Sequence, residues 1–77
     1  MDRRQAREAL RAAGVAEGYY RIEGVHDPTP TPPDFLFLRR SGDGGWEVGA
    51  YERGAHQVIA RYGNESTACA HLLKLLL

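Results

Sequence analysis

The chain has a single cysteine and a single tryptophan, aromatic residues make up only 9% of it, and its positive and negative charges cancel. One cysteine, Cys69, cannot close an internal disulfide, so no oxidative framework supports the fold. No apolar run approaches the ~20 residues that cross a bilayer, and the leucine-rich end, Leu72–Leu77, is interrupted by Lys74. The N-terminus, Met1-Asp2-Arg3-Arg4, has neither the apolar centre nor the cleavage pattern of a signal peptide. The expectation is a cytoplasmic protein with no membrane partner. Ten basic residues against ten acidic ones also argue against a polyanion binder, which carries a basic surplus on one face.

What is present fits one small domain. Seventy-seven residues with 43% hydrophobic content suffice for a single two-layer core but leave little room for an enclosed catalytic cavity. The charge is unevenly spread. Residues 1–11 hold Arg3, Arg4, Arg7 and Arg11 against Asp2 and Glu8, whereas residues 12–38 hold Glu17, Glu23, Asp27 and Asp34 against Arg21.

Residues 2–13 read as a helix capped by Asp2, with Ala6, Ala9, Leu10 and Ala13 at helical spacing, Arg4, Arg7 and Arg11 on the other face, and Gly14 as the stop. The shallow alanine stripe predicts a helix lying close against a sheet. Tyr19-Tyr20-Arg21-Ile22 is a short strand between glycines. Val25–Pro33 contains four prolines in six residues, which lack ladder donors and enforce a stiff, extended loop. Phe35–Arg39 is a strand apolar on both faces, Ser41-Gly42-Asp43-Gly44-Gly45 a hairpin turn, and Trp46–Arg53 the return strand. Gly54-Ala55 is a second turn and Gln57–Tyr62 a further strand. Asn64 caps a closing helix, Glu65–Leu77, with Ala68, Cys69, Leu72, Leu73, Leu75 and Leu76 on its apolar face. The predicted fold is α+β: a three- to four-stranded antiparallel meander, order β1-β2-β3-β4, packed by an N-terminal and a C-terminal helix.

Residues that could carry chemistry are few. Cys69 and His71, two apart on a helix, project in different directions and cannot share an ion, so no metal or other cofactor is expected. Cys69 lies on the apolar helix face, where burial raises a thiol pKa, and no nucleophile–base pattern accompanies it. Glu47 and Glu52, five apart on one strand, face opposite sides and cannot act as an acid–base couple. Gly42-Asp43-Gly44-Gly45 joins two strands and carries an aspartate, unlike a phosphate loop. The Arg4/Arg7/Arg11 face lacks interleaved aromatics, which leaves nucleic-acid binding a lesser alternative. No enzyme is expected. Protein binding remains, through residue types that anchor interfaces: Tyr51, Glu52 and Arg53, with His26, Asp27 and Asp34 on the pre-ordered proline loop.

Trp46-Glu47-Val48, then Tyr51-Glu52-Arg53-Gly54, a strand, and Asn64-Glu65 leading to Ala68-Cys69 and Leu72-Leu73 form a pattern that resembles small actinobacterial immunity proteins. Those proteins are encoded beside secreted polymorphic toxins. The alanine-rich first helix and the aromatic strand Tyr19-Tyr20 fit as well. The chain departs from that pattern at Tyr51, where a serine is usual, and in its longer proline loop. The resemblance implies an immunity or antitoxin-like protein that holds a cognate protein toxin inactive by contact, with an NAD-glycohydrolase as one relevant toxin class. A nuclease toxin selects a strongly acidic inhibitor, which this chain is not. A generic protein-interaction or accessory domain is the alternative, and the sequence leaves the oligomeric state open.

Overall fold

The computed structural model describes residues 1–77. The elements are α1 (Arg3–Ala12), β1 (Tyr20–Ile22), β2 (Phe35–Arg40), β3 (Trp46–Glu52), β4 (Ala55–Tyr62) and α2 (Glu65–Leu76), with a single 3-10 turn, Glu17–Tyr19, leading into β1. Both helices begin where their sequences supply a cap. Asp2 Oδ1 accepts from the Gln5 N–H at 2.9 Å while Gln5 Oε1 accepts from the Asp2 N–H at 2.9 Å, a reciprocal box that satisfies two first-turn donors. Asn64 Oδ1 does the same for the Thr67 N–H at 2.8 Å. At its other end α1 stops on Gly14, whose φ of +79° lets the Val15 N–H turn back to the Leu10 carbonyl at 3.0 Å.

The four strands form one sheet in the order β1-β2-β3-β4. Strands β2, β3 and β4 make the expected meander. Strand β1 differs: it runs parallel to β2, with Tyr20 beside Leu36 and Ile22 beside Leu38, so the sheet is mixed and not wholly antiparallel. A parallel pair needs a crossover of about a dozen residues, and residues 23–34, the turn at Gly24 and the proline loop, supply it. The loop carries the chain back along the edge so that β2 starts at the same end as β1. The second hairpin turn is also shifted by one residue. Arg53 and Gly54, with φ of +52° and +79°, form the two-residue turn, and β4 begins at Ala55. Positive φ at both central positions matches the right-handed twist of the flanking strands. In β4, Ile59 has no partner in the register between Val48–Ala60 and Gly49–Val58, which marks a bulge.

Both helices lie on one face of the sheet. Leu10 and Ala6 from α1, Tyr20, Ile22, Leu38, Trp46 and Val48 from the strands, and Ala68, Cys69, Leu72 and Leu73 from α2 form one buried cluster. Helix α2 crosses β2, β3 and β4, whereas α1 has α2 as its main neighbour. As the alanine stripe predicts, α1 packs on the sheet, where it lies beside α2 and contributes Ala6 and Leu10 to the common core. Leu75, placed on the apolar face from sequence, is 41% exposed.

A candidate contact face on the uncovered side of the sheet

Side chains alternate between the two faces of a strand. Since Leu38, Trp46 and Val48 point to the helices, Phe35, Phe37 and Arg39 of β2 and Glu47, Gly49 and Tyr51 of β3 point the other way, where no helix lies. The register sets Phe35 opposite Tyr51, Phe37 opposite Gly49 and Arg39 opposite Glu47. It continues into β4 with His56 opposite Tyr51 and Arg61 opposite Glu47.

These side chains hold one another in place. The Tyr51 ring stacks on Phe35 at 4.9 Å between centroids and 16° between planes. His56 meets Tyr51 at 4.7 Å and Phe37 at 5.1 Å, both edge-on. The Arg39 guanidinium lies 4.8 Å above the Phe37 ring. Gly49 makes this possible, because a Cβ there would sit 2.5 Å from Phe37 Cζ. Phe37 is thus only 2% exposed on a face that no helix covers. At the next register position Glu47 is 9% exposed and takes both arginines, Oε1 accepting from Arg39 Nε at 3.0 Å and Oε2 from Arg61 Nε at 2.9 Å. Those hydrogen bonds, Arg39's first, hold the Glu47 carboxyl below its ordinary range. The outcome is a pre-set surface of aromatic rings and arginine, the residue types that carry interface energy, with little side-chain freedom left to lose.

At one end of this face the proline loop and the β3–β4 turn approach each other. Thr31, Pro32, Pro33 and Asp34 on one side and Tyr51, Arg53 and Gly54 on the other line an open groove of about 520 Å³. Of the six residues singled out from sequence, the groove brings together Asp34, Tyr51 and Arg53. Glu52 is exposed at the end of β3, on the helix-facing side of the strand. Asp27 lies apart, paired with Arg21 at 3.2 Å. His26 is the clearest correction: it is 8% exposed, its Nε2 donates to the Glu17 carbonyl at 2.8 Å, and its ring lies 4.7 Å from Tyr20. That places it as the pin between the loop and β1, with no surface to offer a partner. Sequence reasoning missed Arg39, Glu47, His56 and Arg61 as parts of this face. Their signal was the alternation itself, legible only once Leu36 and Leu38 are known to face the helices.

Several other polar groups are committed elsewhere. Arg7 pairs with Glu17 at 3.4 Å and Arg11 with Glu8 at 3.5 Å, which breaks up the basic stripe of α1. Arg3 turns inward, donating to Glu65 at 3.1 Å and to the Glu23 carbonyl at 2.7 Å beneath Trp46. Burial, with a smaller contribution from Glu65, pushes the Cys69 thiol up to about 11, so at neutral pH it is not a thiolate nucleophile. His71 is engaged by the Tyr62 hydroxyl at 2.8 Å.

Fold and site together define a small α+β domain with one helix-covered sheet face and one bare, aromatic–arginine face. Compared with protein-family models, with curated proteins and with solved structures, the chain gives no match.

Proposed function

We propose that the chain is an immunity or antitoxin-like protein that binds and inhibits a cognate protein toxin, using the bare sheet face and the turn at its end. The observation that carries this reading is the set Tyr51, His56 and Arg39, held in place over the buried rings of Phe35 and Phe37 on the face opposite both helices. A domain of this size gains stability by covering its aromatics with helices. Covering Phe35 and Phe37 with Tyr51, His56 and Arg39 in place of a helix fixes those three side chains and suits a surface that docks as a rigid body. Tyr51 and Arg53 are the anchors, at the junction of face and groove.

This reading expects the neighbouring gene to encode a secreted protein with a C-terminal toxin domain, and the test is co-expression with that domain. Growth should be rescued and a complex recovered. Tyr51→Ala and Arg53→Ala should each weaken that complex by about 2 kcal/mol or more while leaving the fold intact by circular dichroism. A neighbouring product that is not toxic, or that the chain neither binds nor silences, overturns the proposal.

A further inference from the structure

The groove between the proline loop and the β3–β4 turn carries one acid and one base, Asp34 and Arg53, on opposite walls. Neither makes an ion pair or a side-chain hydrogen bond within the chain. Most charged side chains have an internal task, and only Arg4, Glu52 and Lys74 share the lack of one with these two. Arg3, Arg7, Arg11, Arg21, Arg39 and Arg61 are all ion-paired, Asp2 caps α1, Asp43 closes its own turn, and Arg40 covers Trp46. Between the two free charges the walls are Pro32, Pro33 and the half-buried Tyr51 ring.

A surface with an unpaired acid on one side and an unpaired base on the other is complementary to itself under a twofold rotation. Such an interface sets residue i against residue j and residue j against residue i. We infer that in the free protein the occupant of this groove is a second copy of the chain, in a symmetric dimer that sets Arg53 of each copy against Asp34 of the other and packs Tyr51 against the opposing prolines; a partner anchored on Tyr51 and Arg53 would displace it. The sheet edges offer a poorer route to self-association. The edge at β4 is broken by the bulge at Ile59, and β1 is three residues long with a bridge from Ile22 to His26 beside it. The charged contacts across the groove are two solvent-exposed ion pairs, so the dimer is a weak one in the range of transient contacts. This inference goes beyond the proposed inhibitor role and is tested on the purified chain alone.

Sedimentation velocity from micromolar to millimolar chain, at low and high salt, should show a concentration-dependent monomer–dimer equilibrium that weakens as salt screens the two ion pairs. Asp34→Arg and Arg53→Asp should each weaken dimerisation by at least about tenfold, because every reversal converts both symmetric contacts from attraction to repulsion. Aspartate tolerates the left-handed backbone at position 53, so that variant should fold, as thermal unfolding will verify. The double variant Asp34→Arg/Arg53→Asp exchanges the charges and should restore the dimer. A chain that stays monomeric throughout, a dimer indifferent to either reversal, or a double variant no better than the singles overturns the inference.

Discussion

The two faces of the sheet are made from alternate residues of the same strands, yet they solve different problems. On the helix side, Tyr20, Ile22, Leu38 and Val48 are 0–1% exposed and depend on two helices to exclude water. On the bare side, Phe35 and Phe37 are nearly as buried, at 7% and 2%, but their cover is the side chains of their own neighbours, Tyr51, His56 and Arg39. The first face is a core in the ordinary sense, where stability scales with apolar area removed from water. The second combines aromatic contacts with a charge network, Arg39–Glu47–Arg61, that stays partly wet. A protein with only the first kind of face would have no reason to place rings on the other. The comparison teaches that burial alone does not distinguish core from surface in a domain this small: what covers a residue matters as much as how well it is covered.

Three changes probe that contrast. The largest effect should come from Leu72→Ala, which empties the centre of the α2 contact: Leu72 is fully buried, and the loss should be about 2–5 kcal/mol in denaturant unfolding. A loss well under 1 kcal/mol would show that α2 is not the main lid. Next comes Gly49→Ala on the bare face. The added methyl collides with the Phe37 ring and with the Gln57 carbonyl, and strain of about 1–3 kcal/mol is expected, together with a changed near-ultraviolet aromatic signal. Should that variant be as stable as the parent, the packing of Phe37 over Gly49 is not a fixed feature.

The smallest change concerns Glu47. Its carboxyl is held below the ordinary carboxylate range by Arg39 and then Arg61, so the unfolded chain takes up this proton first as pH falls. The stabilisation from Glu47 is complete above the unfolded carboxylate pKa and disappears as pH drops through the lower folded value. Glu47→Gln should cost about 1 kcal/mol at neutral pH, with the parent and variant stability curves converging in acid. Asp43 is lowered too, through Ser41 and the Gly45 N–H, but it is present in both proteins and cancels in the difference. Curves that stay parallel down to the acid limit would remove Glu47 from the network.

Much of the fold was legible because it is governed by local chemistry. Asp2, Gly14 and Asn64 set the helix ends, Gly42–Gly45 set the first hairpin, and the spacing of Ala68, Cys69, Leu72 and Leu73 set the buried face of α2. Tyr51, Arg53 and Asp34 could be picked out as candidate contact residues by type and by their places in a turn and a stiff loop, and they do meet at one groove. His26 was chosen on the same grounds and lies buried, because a loop histidine is exposed or pinned according to what the loop folds back upon. Here that is β1 and the turn before it.

By itself the sequence determined the order and nature of the elements, because capping, turn geometry and hydrophobic period act within a few residues. The tertiary structure alone decided that β1 pairs parallel to β2, that Leu36 and Leu38 face the helices while Phe35 and Phe37 face away, and that Glu47 sits between Arg39 and Arg61. In a strand apolar on both sides, the alternation names two faces without saying which is covered. That choice is made by where α2 comes to rest, and it put Leu36 and Leu38 toward the helices and left Phe35 and Phe37 to be covered by Tyr51, His56 and Arg39.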